Sequence, residues 1–152
     1  LPPHDVSCNI NTTETHNYEV FRISPTDKNK LVILCDPKTA NVSFTCCLEI
    51  FEPGGKTPVH QHSSAEEIFF VLRGEGTAIC EENLTSLQAG ESILISPGST
   101  HALSNVSAHR LYMLCIMTPG DDFANLIRNG VVDFLDETDR LMLRQLELYN
   151  LQ

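Results

Sequence analysis

Hydrophobic positions in the first 119 residues come in short runs separated by turn-forming residues. The runs are Tyr18 to Ile23, Leu31 to Cys35, Val42 to Phe51, Ile68 to Leu72, Thr77 to Cys80, Ser92 to Ile95 and Arg110 to Met117. Between them stand Asp36-Pro37, Pro53-Gly54-Gly55, Gly74, Gly90 and Pro97-Gly98. Several short strands at this spacing, with no helical pattern between them, predict an antiparallel sandwich or barrel. Residues Leu1 to about His16 are rich in Pro, Asn, Thr and His and show no apolar period, which predicts an irregular N-terminal arm over residues 1–17.

Past Gly120 the period changes. Phe123, Leu126 and Ile127 recur at helical spacing, and Gly130 follows as a cap. A second helix is predicted to begin near Asp136 to Thr138. At about 100° per residue, Leu141, Met142, Leu146, Leu148 and Tyr149 share one arc, with Arg140, Arg144 and Glu147 opposite. The expected division is an arm over 1–17, a barrel over 18–119 and a helical extension over 120–152 that packs on the outside of the barrel, a dimer contact being the alternative for its apolar face.

Composition narrows the function. The chain has 152 residues, one domain's worth, and its 20 acidic against 10 basic residues give a net charge of −10. Such a chain repels phosphate backbones and anionic lipid surfaces, so neither nucleic acid nor membrane is an expected partner. The longest apolar run is the seven residues from Leu111 to Met117, far short of the ~18 needed for a span. Six cysteines, at 8, 35, 46, 47, 80 and 115, form no CxxC and no dense framework, which reads as reduced thiols in a cytoplasmic protein. Asn11, Asn41, Asn83 and Asn105 each open an N-x-Ser/Thr triplet, meaningful for glycosylation only in a secreted chain.

The chemistry concentrates in two segments. In Thr57-Pro58-Val59-His60-Gln61-His62 the two imidazoles would share one face of a strand. A turn over Ser63 to Glu66 would then return the chain through Glu67, so that a hairpin sets a carboxylate beside both rings. Two neutral imidazoles and a carboxylate suit a divalent transition metal: iron, manganese, nickel, zinc, cobalt or copper. The second segment, Gly90 to Asn105, places His101 just after Pro97-Gly98, where it could supply a fourth ligand. His4, His16 and His109 lie outside both segments and read as surface residues.

Together the segments resemble the two motifs of the cupin superfamily, G-x5-H-x-H-x3,4-E-x6-G and G-x5-P-x-G-x2-H-x3-N. Gly54, His60, His62, Glu67 and Gly74 fit the first in full; Gly90, Gly98, His101 and Asn105 fit the second, with Ser96 at its proline position and Pro97 one place later. The resemblance implies a double-stranded β-helix, or jelly-roll barrel, holding one metal through His60, His62, Glu67 and His101. It also implies a homodimer through barrel strands.

Four protein ligands leave two positions on an octahedral ion, enough for a substrate oxygen with dioxygen or water beside it. The expected function is that of a small metal-dependent enzyme of dioxygenase, decarboxylase, isomerase or lyase type acting on a small oxygen-rich or aromatic molecule. A binding or sensing module and a barrel with a purely structural metal are the alternatives. Alternation along the strand puts Phe69 and Val71 on the face of Glu67, as expected pocket walls. The last strand presents either Leu111, Met113, Cys115 and Met117 or Tyr112, Leu114 and Ile116 inward; if the second, Tyr112 becomes a pocket residue. Arg73 and Arg110 are candidates for holding a substrate carboxylate, and no residue stands out for proton transfer.

Overall fold

The computed structural model describes residues 10–120 and 122–148, with the side chains of 145–148 left aside. A short 3-10 turn at Thr15–Asn17 leads into the first strand. The strands are β1 (Glu19–Arg22), β2 (Asn29–Cys35), β3 (Thr45–Phe51), β4 (Glu66–Arg73), β5 (Glu75–Cys80), β6 (Asn83–Gln88), β7 (Ser92–Ile95), β8 (His101–Ser104) and β9 (Leu111–Thr118). Helix α1 (Phe123–Arg128), the two-residue strand β10 (Val131–Val132) and helix α2 (Glu137–Leu148) follow. All the pairings are antiparallel, in one sheet ordered β10-β1-β2-β3-β9-β4-β7 and a smaller one ordered β6-β5-β8. The seven apolar runs all form strands, whereas the His60–His62 segment does not; β6, β8 and β10 are additions to the sequence reading.

Burial explains which strands alternate. In β4 the pattern is strict, with Glu67, Phe69 and Val71 buried and Glu66, Ile68 and Phe70 exposed, as expected of a strand covered on one face. In β2, β3 and β9 nearly every position is buried, because these strands are covered on both faces. Their inward side chains Leu31, Ile33, Cys47, Phe51, Leu111, Met113 and Cys115 fill the barrel with Phe69, Val71, Leu87, Ile95 and Leu103. Their outward side chains Val32, Leu48, Ile50 and Tyr112 meet Leu135 and, on α2, Met142 and Leu143.

The extension therefore packs on its own barrel. Helix α1 buries Ala124 and Ile127 in the barrel core, while β10 pairs with β1 and covers what would be an open sheet edge. Of the expected α2 arc, Met142 packs inward as read, Leu141 is half exposed, and Leu143 takes the inner place. The side chains of Leu146 and Leu148, together with Tyr149, His4 and Cys8, lie outside the described residues.

A buried ionic network pins α2 to the sheet. The Asp139 carboxylate, wholly buried, accepts from Lys30 Nζ at 2.7 Å, Arg110 Nη1 at 2.9 Å and the Tyr112 hydroxyl at 2.9 Å. Asp136 adds a second contact to Arg110 at 2.8 Å. Burial, reinforced by Asp139, pushes the Tyr112 phenol well above its ordinary range, so its hydroxyl keeps the proton it donates. Tyr112 is thus fixed on the outer face, and the inward set of β9 is Leu111, Met113, Cys115 and Met117. Arg110 likewise serves this network and not the pocket, and Arg73 ends β4 exposed.

Candidate metal centre

The segment carrying His60 and His62 is not the expected hairpin with β4. It runs along β8 in the smaller sheet, held by Thr57 N–H donating to Leu103 O at 2.9 Å and by a reciprocal pair, His60 N to His101 O at 3.0 Å and His101 N to His60 O at 2.8 Å. Pro58 has no N–H, which interrupts the ladder, so the pairing at His60 is an isolated bridge. The turn Pro97-Gly98 docks here as well, through Gly98 N–H to His62 O at 2.7 Å, with Gly98 at φ +78°. Three imidazoles thus come from one wall of the barrel. Glu67 faces them from β4 in the opposite sheet.

All four residues meet. One ligand atom from each of His60, His62, Glu67 and His101 lies within 4.8 Å of the others. His60 Nδ1 is 2.8 Å from Pro58 O and His101 Nδ1 is 2.9 Å from Ser99 O, contacts that place the ring proton on Nδ1 and leave Nε2 as a lone-pair donor. His62 Nε2 stands 3.0 Å from Glu67 Oε2, and His101 Nε2 stands 3.7 Å from Glu67 Oε1. Neither contact is aligned as a hydrogen bond: His62 Nε2, His101 Nε2 and Glu67 Oε2 are all buried without a hydrogen-bond partner. Three orphaned lone-pair donors around one point are costly to leave unmatched and fit a cation between them. Burial lowers the His60 pKa, and the two neighbouring imidazoles act in the same direction, which keeps this ring in the neutral form a metal needs.

Three of the four, His60, His62 and Glu67, line a cavity of about 230 Å³, with His101 buried behind them. Phe69 lines it as expected, with Ile23, Leu31, Phe123 and Leu126 on the other sides. Val71, one step further along β4, is part of the packed core and does not line the cavity. The Phe123 ring lies edge-on to His62, 6.5 Å between centroids, so α1 roofs the metal side of the cavity. Sequence reasoning missed this wall, along with two buried polar residues in it, Asn29 and Glu49. Asn29 Nδ2 donates to Glu49 Oε1 at 3.3 Å. Burial, and next the charge of Glu67, push the Glu49 carboxyl up to about 8 against the opposing effect of that hydrogen bond. One sign was present in the sequence, a single charge within the apolar run Val42 to Phe51.

Asn105, the last residue of the second motif, has a different task. Its Nδ2 donates to Phe51 O and His109 O, and its Oδ1 accepts from Ser107 N and Oγ. Its N–H donates to Gly55 O while its own carbonyl accepts from Gly54 N–H, which splices the two motifs together. At 1% exposure, this triplet is structural and not an accessible glycan acceptor. The five described cysteines are free thiols, with Cys35 opposite Cys46 and Cys47 opposite Cys115.

Residues 47–117 match the family model of the cupin domain. Over these residues the chain carries a cupin domain. Among curated relatives, an uncharacterised protein of Methanocaldococcus jannaschii is 32% identical over 66 residues, 43% of this chain and 53% of that protein. Auxin-binding protein T92 of Nicotiana tabacum is 37% identical over 67 residues, 43% of this chain and 35% of that one. This cupin therefore matches about half or less of the length of these relatives. Among solved structures, a predicted oxalate decarboxylase of Thermotoga maritima superposes with a TM-score of 0.63 at 18% identity, over 72% of this chain and 99% of that one. That likeness shows the shared jelly-roll fold.

Proposed function

We propose that this cupin is a metal-dependent enzyme acting on a small molecule that presents an oxygen group to the metal and an apolar, ring-sized body to the cavity. The observation that carries this reading is the meeting of three orphaned donor atoms, on His62, Glu67 and His101, with the His60 ring at the base of an apolar cavity. A divalent transition ion held by these four residues would supply Lewis acidity or redox capacity, suited to dioxygenase, decarboxylase, isomerase or lyase chemistry. The protein's part is to fix the tautomers of His60 and His101 through Pro58 O and Ser99 O, so that Nε2 is the free lone pair, and to line the cavity with the apolar walls Phe69, Phe123 and Leu126. At about 230 Å³ the cavity falls below the ~300–1,000 Å³ of drug-sized sites, which limits the guest to about one ring. Lys56 at its lining adds a positive charge for an anionic guest.

Similarity to auxin-binding proteins favours a second reading, in which the same centre binds a small ligand and releases it unchanged. Elemental mass spectrometry on untagged protein tests the ground common to both. About one metal per chain is expected in the parent and none in His62→Ala or His101→Ala. A parent that neither carries metal nor takes it up would overturn both readings. Loss of a bound small acid over time, abolished by chelation, separates enzyme from binder.

We further propose a cytoplasmic homodimer. Ile68, Phe70 and Leu94 form an exposed apolar patch on the outer face of β4 and β7, with Ile68 directly opposite Leu94. Light scattering should give twice the chain mass, falling to the monomer in Phe70→Glu; a monomeric parent at high concentration would remove the claim.

A further inference from the structure

Four of the five described cysteines stand in two cross-strand pairs, and the pairs differ in what can reach them. Cys47 and Cys115 face each other between β3 and β9 inside the barrel core, each 1% exposed. Cys35 and Cys46 face each other between β2 and β3, and both are only half-buried. A bulge creates this second pair. Ile33 lies opposite Cys47, so an uninterrupted ladder would set Leu34 opposite Cys46; the register shift between Ile33 and Cys35 brings Cys35 there instead. Residues directly opposite in an antiparallel pair have Cα atoms about 4.5–5.5 Å apart, inside the ~4.4–6.8 Å span of a disulfide. Cys35 also lines a cavity of about 450 Å³ bounded by Asn11, Thr13 and Asn17, where a small reagent can reach it. Cys80 stands opposite Asn83 and His101 on the smaller sheet, with no thiol across from it.

We propose that Cys35 and Cys46 are a reversible oxidation site, a dithiol that closes into a cross-strand disulfide by exchange with a low-molecular-weight disulfide. Cys35, approached from its cavity, gives its proton to solvent and attacks; one sulfur of the small disulfide bonds to Cys35, and the other leaves and is protonated. Cys46 then loses its proton, attacks Cys35 Sγ and expels the second small thiol. Two cysteine thiols are oxidised and one small disulfide is reduced to two thiols, so electrons and protons balance. Burial, and next the charge of Asp36, raise the Cys35 thiol, while burial and the neighbouring thiols push Cys46 up to about 12. Both therefore rest as thiols near neutrality, and exchange quickens as the pH rises. The product ties the end of β2 to the start of β3 and involves none of the four clustered residues at 60, 62, 67 and 101.

The test incubates the full, folded chain with reduced and oxidised glutathione at pH 8, blocks the remaining thiols with N-ethylmaleimide and maps tryptic peptides without reduction. Cleavage after Lys30, Lys38 and Lys56 puts Cys35 and Cys46 on separate peptides, 31–38 and 39–56. These two should appear linked, and dithiothreitol should release them. The link should persist in Cys47→Ser and vanish in Cys46→Ser, where Cys35 instead retains glutathione. Oxidation should raise Tm by about 5 °C, and Cys35→Ser should abolish that rise. A link from 39–56 to 111–128, the peptide of Cys115, in place of the expected one would overturn the inference. So would a parent in which Cys35 stays reduced, or stops at the mixed disulfide with glutathione.

Discussion

Two groups of buried polar side chains sit on opposite faces of the same sheet, and only one of them is closed. On β2, Asn29 faces the cavity while Lys30, the next residue, points outward to Asp139. The outer group is matched: Lys30 and Arg110 each reach both Asp136 and Asp139, with the Tyr112 hydroxyl as a further donor. The inner group leaves atoms of Asn29, His62, Glu67 and His101 unmatched. Similar burial and similar residue types thus serve two ends. A closed network holds the chain together; an open one marks where something else must fit.

Breaking the closed group should have the largest effect. Asp139→Ala leaves Tyr112 without its acceptor and Lys30 with only its longer 3.5 Å contact to Asp136, and a buried pair broken from one side costs about 3–5 kcal/mol. For a chain of this size that lowers Tm by roughly 10 °C in differential scanning calorimetry. His62→Ala is the contrast: in metal-free protein it should cost at most about 1 kcal/mol, since it removes an unpaired group.

A second closed pair lies at the base of α1, where Arg128 donates to both oxygens of Asp36, at 2.8 and 2.9 Å. The Arg128 hydrogen bonds, opposed by burial and aided by Thr39, hold the Asp36 carboxyl well below its usual range. A carboxyl depressed in the folded state contributes stability at pH values above its unfolded pKa of about 3.9 and loses that contribution as the pH falls below it. Arg128→Gln should therefore cost about 1.5–3 kcal/mol near neutrality and flatten the acid limb of stability against pH in urea titrations. The smallest effect belongs to Tyr112→Phe. It removes one of four donors to Asp139, an expected loss of about 1 kcal/mol, with metal content unchanged because this ring lies outside the cavity.

The four-residue cluster was legible because the motif spacing sets particular residue types at fixed offsets, and His60, His62, Glu67 and His101 keep theirs. The route by which they meet was not, since the segment carrying His60 and His62 runs along β8 and not in a hairpin with β4. The facing of β9 could not be read because both of its faces are apolar, so alternation carries no information where a strand is covered on two sides. The reverse holds for β6, whose side chains are almost all exposed and leave no hydrophobic period. Glu49 and Asn29 escaped notice because they reach the cavity from strands with no motif of their own.

Helix α1 lies beyond both motifs, yet its Phe123 and Leu126 line the cavity. On the proposed reading, the residues that would hold an ion and these two residues of the cavity wall are therefore encoded by separate stretches of the chain. Two proteins identical over residues 60–101 but different at 123 and 126 would hold the same ion and admit different guests. Selectivity here can be redesigned from the roof inward, leaving the coordination sphere untouched.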